Sequence, residues 1–125
     1  MIDLHIHILP GIDDGSPDLE ESVEMAQIAA DCGTRVIVAT PHCNMTHMYE
    51  NTYSADYRRR FSLLQQELAE AEPSVQLLEG MEIFCVGDVA GKLRSGELIC
   101  LNHTRYPFVE FDFEAEDFEI THQLQ

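Results

Sequence analysis

Apolar positions along the chain follow two periods. Short apolar runs, 1–7 and the β-branched 34–40, alternate with stretches where Leu19, Val23, Ala26 and Ala30, then Tyr57, Phe61, Leu64 and Leu68, recur at helical spacing. The first kind suits buried parallel strands and the second the core-facing stripe of a helix, so the pattern predicts β/α units on a parallel sheet. Ser16 followed by Pro17 is the expected N-cap and first turn of one helix, closed by Gly33; Ser54 is the expected cap of the next, which runs to about Glu72 before Pro73. Residues 43–53 between them read as a loop. Downstream, 75–84 is a third strand region interrupted at Gly80, 87–93 a short helix closed near Gly96, 108–113 a fourth strand, and 116–125 the opening of another helix.

Composition narrows the function classes. The 125 residues suffice for one domain with a core of its own, and no linker or repeat divides them. Seven basic residues against 23 acidic ones give a formal charge of -16, which repels nucleic acid and favours cations. The four cysteines, Cys32, Cys43, Cys85 and Cys100, are too scattered for a disulfide framework or a zinc CxxC pair. With no basic, apolar leader at the start and no run long enough to span a bilayer, the expected location is the cytoplasm.

Candidate chemistry gathers where strands end. His5 and His7 are two apart on the first strand and so share a face. A glycine-bracketed acidic turn, Gly11-Ile12-Asp13-Asp14-Gly15, follows at the same end, and the second strand runs into Thr40-Pro41-His42. Acids before a helix commonly serve as caps, and lone histidines as surface residues. Three strand-terminal histidines out of six in the chain, beside an aspartate, are harder to assign that way. The third and fourth strand regions carry carboxylates among large apolar residues, Gly80-Met81-Glu82-Ile83 and Phe108-Val109-Glu110-Phe111, where desolvation is costly without a cation. Imidazoles and carboxylates without thiolate suit manganese, iron or zinc. Clusters of this kind hold divalent ions that assist phosphate-ester hydrolysis. The six acids within 110–119 read equally well as a solvated edge, and Arg58, Arg59 and Arg60 as one solvated helix face. His47 and Tyr49 fall in the loop after His42, for which contact with substrate is one reading and an exposed polar loop the commoner one, and His103 and Arg105 precede the fourth strand.

The opening fifteen residues, from Met1-Ile2-Asp3-Leu4-His5 to Asp13-Asp14-Gly15, resemble the start of the PHP (polymerase and histidinol phosphatase) tyrosine phosphatases of bacterial polysaccharide synthesis. Ala39-Thr40-Pro41-His42, Gly80-Met81-Glu82-Ile83 and Arg105-Tyr106-Pro107-Phe108-Val109-Glu110-Phe111 resemble the second, third and fourth motifs of that family, in order. The resemblance implies a single incomplete PHP domain over residues 1–125: an α/β, parallel-stranded partial (β/α) barrel, cut after about the fourth strand. It implies His5, His7, Asp14, His42, Glu82 and Glu110 as metal ligands, with Asp14 and His42 also catalytic. A complete site would hold up to three divalent ions, most simply manganese. The implied substrate is phosphotyrosine on a kinase regulating capsule or exopolysaccharide assembly. Later family motifs, a His-Pro-Glu-Arg type and a Ser-Asp-Ala-His type, are absent, so this chain alone is expected to hydrolyse phosphotyrosine weakly or not at all and to pair with another copy over its open half. Two alternatives remain: a non-catalytic module binding metal or kinase, and a PHP phosphatase for a small ester such as histidinol phosphate. A cysteine-dependent phosphatase is excluded, since no cysteine is followed at the sixth position by arginine.

Overall fold

The structure, a computed structural model, describes residues 1–114 and 116–125. Its strands are β1 (Ile2–Ile6), β2 (Val36–Ala39), β3 (His42–Cys43), β4 (Gln76–Glu79), β5 (Glu82–Phe84) and β6 (Phe108–Glu110). Its helices are α1 (Leu19–Asp31), α2 (Ala55–Ala71), α3 (Val89–Ser95) and α4 (Asp117–Leu124), with a 3-10 turn at Leu101–His103. Two three-stranded sheets result, ordered β1-β2-β4 and β3-β5-β6, and every pairing within them is parallel.

These sheets share one register. Val36 pairs with Gln76 and Ala39 with Glu79, and beyond the break His42 pairs with Glu82, the same offset of 40 residues throughout. So β3 continues β2 past Thr40-Pro41, and β5 continues β4 past Gly80-Met81, giving four lines of strand in chain order. The third strand region is therefore two strands. Its interruption at Gly80 has a specific cause: the buried Tyr57 hydroxyl donates to the Gly80 carbonyl at 2.7 Å and accepts the Gly80 N–H at 3.1 Å, replacing ladder bonds. Two expectations from sequence were too coarse: the region 43–53 begins as strand β3, and the fourth strand stops at Glu110.

The core lies between the strands and the helices α1 and α2. Tyr57, Phe61, Leu64 and Leu68 of α2 face Ile37, Leu77, Met81 and Ile83, all buried. Helix α1 begins later than expected. Its N-cap is Asp18, whose side chain accepts the Glu21 N–H at 2.9 Å, because the Ser16 hydroxyl is engaged inside the protein. There Ser16 lies 2.6 Å from the Ser22 hydroxyl, which donates to the Ile8 carbonyl at 2.6 Å. The buried face of α1 accordingly runs through Ser22, Ala26 and Ala30, with Leu19 and Val23 only half-buried. A satisfied serine can occupy a stripe position that apolar periodicity alone assigns elsewhere. Nor are the three arginines of α2 equivalent. Arg60 Nη1 donates to the Pro10 carbonyl at 2.7 Å, tying α2 to the acidic turn, and Arg58 Nη1 donates to the Tyr53 carbonyl at 3.1 Å.

Candidate metal centre

Strand ends and the turns that follow them bring the chemistry together. His5 projects from β1, His7 follows its end, His42 opens β3, Glu82 opens β5 and Glu110 ends β6. Asp14 comes from the turn before α1. All six side chains meet at one rim. His5 Nε2 and His7 Nε2 lie 3.3 and 3.1 Å from Glu82 Oε2, and His42 Nδ1 lies 3.4 Å from the same oxygen. His42 Nδ1 is also 3.1 Å from Glu110 Oε1, while its Nε2 is 3.5 Å from Asp14 Oδ1. Three overlapping groups follow, His5 with His7 and Glu82, His7 with Asp14 and His42, and His42 with Glu82 and Glu110. Glu82 is buried at their centre with 6% exposure, whereas the side chains of His5 and Asp14 are half or more exposed. The cluster is thus closed beneath and open on one side.

Asp13 is the residue whose role sequence reasoning missed. Its buried carboxylate accepts from His7 Nδ1 at 2.8 Å, from the His42 backbone N–H at 2.9 Å and from the Gly15 N–H at 3.0 Å. The signal available in the sequence was the pair Asp13-Asp14 itself. One of two adjacent carboxylates turns inward as the other faces the opening. Burial alone would raise the Asp13 pKa, but the hydrogen bonds from His7, His42 and Gly15 outweigh it and hold the group below its usual range. The same bond to Asp13 raises His7 above an ordinary imidazole against the opposing effect of burial. Burial, then the Glu82 charge, pushes Glu110 above the usual carboxylate range, with His42 opposing.

These contacts test whether the residues fit a cation. An ionised Asp13 can only accept, so the proton of a neutral His7 ring sits on Nδ1 and Nε2 presents a lone pair. That lone pair faces Glu82 Oε2 at 3.1 Å and His5 Nε2 at 3.3 Å. Converging lone pairs repel unless a proton or metal ion lies among them, and no Lys or Arg pairs with Asp14, Glu82 or Glu110 among the described residues. The donor set fits a divalent ion. A second carboxylate anchoring the ligating ring is a usual support for metal-bound histidine. We expect Asp13→Asn to weaken manganese binding about 10- to 100-fold by freeing the His7 ring, measured by titration against a competing chelator; unchanged affinity would refute an orienting role.

Cys43, Cys85 and Cys100 offer no rival chemistry. Burial pushes the Cys43 thiol far above its usual range, and raises Cys85 and Cys100 in the same direction. A nucleophilic thiolate needs the opposite shift.

A family model described as capsular polysaccharide synthesis, CpsB/CapC, matches residues 1–125. The chain belongs to the CpsB/CapC family. Among its relatives, tyrosine-protein phosphatase YwqE of Bacillus subtilis (strain 168) is 40% identical over 114 residues, covering 91% of this chain and 44% of YwqE. Tyrosine-protein phosphatase CpsB of Streptococcus agalactiae is 32% identical over 115 residues, covering 92% of this chain and 46% of that protein. The fold agrees at TM-score 0.86 and 38% identity, over 99% of this chain and 49% of the other, with crystal structures of YwqE from Bacillus subtilis and CpsB from Streptococcus pneumoniae, described as unique metal-dependent tyrosine phosphatases. The chain spans about half the length of these CpsB/CapC relatives. Among the described residues no helix is long and apolar enough to cross a membrane.

Proposed function

We propose that this chain is the N-terminal part of a metal-dependent phosphoric monoester hydrolase acting on phosphotyrosine, the substrate being a kinase that regulates polysaccharide assembly in the cytoplasm. One observation carries the reading: six imidazole and carboxylate side chains from separate strand ends converge in three overlapping groups, with Glu82 shared between two of them. The names of the CpsB/CapC relatives support the same chemistry. The four parallel lines of strand in chain order, joined by helices, support a partial (β/α) barrel of PHP type and a single incomplete domain over 1–125.

In this reading His5, His7, Asp14, His42, Glu82 and Glu110 hold up to three divalent ions, manganese first and iron or zinc as alternatives. Bound ions of this kind supply Lewis acidity and positive charge to the phosphoryl oxygens. The protein supplies the rest. Asp13 keeps the His7 proton on Nδ1 so that Nε2 stays available, and Glu82 holds three imidazoles to one point. Asp14, whose Oδ1 lies on the open side 3.5 Å from His42 Nε2, accepts in this reading the proton that hydrolysis releases.

We expect the purified 125-residue chain, which spans about half the length of its relatives, to bind manganese and to turn over a phosphotyrosine peptide weakly or not at all. Metal analysis beside a phosphate-release assay decides between readings. Failure to bind any divalent metal removes the proposal. Bound metal without hydrolysis, even when the chain is joined to the remaining half of the Bacillus subtilis relative, favours a non-catalytic metal- or kinase-binding module.

A further inference from the structure

Polar groups can grip a phosphate, yet they cannot distinguish what it is esterified to. Discrimination needs an apolar surface beside the cluster, and the loop after His42 provides one. Tyr49 lies flat against the His42 ring, with centroids 5.5 Å apart and planes 9° from parallel. The loop that carries it is anchored at both ends. Buried Asn44 donates through Nδ2 to the carbonyls of Phe84 at 2.9 Å and Val86 at 3.0 Å, and accepts from Lys92 Nζ at 2.6 Å. At the other end Asn51 Nδ2 donates to the Ile12 carbonyl at 3.1 Å and the His42 carbonyl at 2.9 Å. The backbone closes between them through Asn44 N–H to Asn51 O at 3.1 Å and Met45 N–H to Tyr49 O at 3.0 Å. Neither asparagine touches Tyr49 through these bonds; both fix where the tyrosine stands.

Tyr49 is half-buried while its neighbours at 46–48 and 50 are exposed, so its ring is held at the site by a loop whose tip faces solvent. Phe108 also meets the cluster, edge-on to His5 at 4.7 Å, but it lies two residues before Glu110 on β6. Tyr49 instead comes from a loop beyond the strand ends, the side where β/α folds admit ligands.

We propose that Tyr49 is the specificity-determining wall of the site, favouring phosphate carried on an aromatic ring over phosphate carried on an alkyl group or none. This rests on the phosphatase reading above, and it adds the residue through which an aryl group is recognised. A positioning role for Tyr49, steadying His42 alone, is the competing account.

Binding separates the two without requiring turnover. The manganese-loaded 125-residue chain is titrated calorimetrically with inorganic phosphate, methyl phosphate and phenyl phosphate, as wild type, Tyr49→Phe, Tyr49→Leu and Tyr49→Gln. Phenyl phosphate should bind the wild type and Tyr49→Phe about fivefold more tightly than methyl phosphate, the size of one aromatic contact. Both non-aromatic variants should bring that ratio to about one with phosphate and manganese affinity unchanged. An aryl preference that survives in the non-aromatic variants, a wild type without one, or a parallel loss of manganese and phosphate binding in the variants each overturns the assignment. A wild type that binds manganese but none of the three phosphates overturns the phosphatase reading itself, whereas equal binding of all three overturns the aryl wall alone.

Discussion

Replacing Glu82 with glutamine should weaken manganese binding by at least about 100-fold, above the range that supporting residues reach when removed. Its Oε2 lies within 3.4 Å of ring nitrogens from His5, His7 and His42, and Glu82 belongs to two of the three candidate ligand groups. His7 and His42 also belong to two groups each, but Glu82 is the buried member of the cluster. An amide keeps the shape and removes the negative charge, so the loss reads charge and coordination rather than packing. Metal-free stability should move by less than about 1 kcal/mol, since the desolvation of a buried carboxylate and its contacts with histidine oppose each other. Chelator competition gives the first quantity and urea unfolding the second. Manganese affinity within threefold of wild type would remove Glu82 from the centre of the site.

Gly15→Ala should be the most damaging single methyl group in the chain. A Cβ at Gly15 would stand 2.2 Å from the His7 carbonyl oxygen and 2.4 Å from His7 Cβ, far inside van der Waals contact. Neither obstacle can swing away. The carbonyl is fixed because it accepts the Ser16 N–H at 3.0 Å, and the Gly15 N–H is bonded to Asp13. Relief requires the acidic turn to part from the end of β1. We expect a loss of about 3 kcal/mol, at the top of the overpacking range, seen as a fall of about 1.5 to 2 M in the urea midpoint. Manganese affinity should fall with it, since the displaced turn carries Asp13 and Asp14 away from His7 and His42. An unchanged midpoint would mean that the turn is not packed against His7 as described.

Much of this was legible because periodicity reports burial. The residues of α2 chosen by spacing, Tyr57, Phe61, Leu64 and Leu68, are the four buried ones, and the parallel α/β arrangement follows from strands that alternate with helices. Helix α3 ends at Gly96 as the glycine suggested. Where polar atoms carry the structure, periodicity was silent. Ser22 is buried because its hydroxyl donates to the Ile8 carbonyl at 2.6 Å, a partner that hydrophobic spacing does not report, and no pattern of hydrophobicity shows that the Tyr57 hydroxyl will divide a strand at Gly80. The candidate site was legible as strand-terminal residues of matching chemistry, and the structure brings all six to one rim. Asp13 was not singled out, since which of two neighbouring aspartates turns inward depends on the backbone N–H groups of His42 and Gly15, far apart in the chain.

The outer line of the sheet has a colloidal consequence. Among the described residues β1 pairs on one side only, with β2, and it carries Ile2 and Leu4 at 61% and 53% exposure. An unpaired strand bearing apolar side chains is a template for another such strand. Mutual repulsion between molecules of formal charge -16 is expected to keep those edges apart in dilute buffer. Salt shortens the reach of that repulsion to about 3 Å at 1 M, less than the spacing of neighbouring strands, so the ionic strength of the solution governs whether the chain stays dispersed.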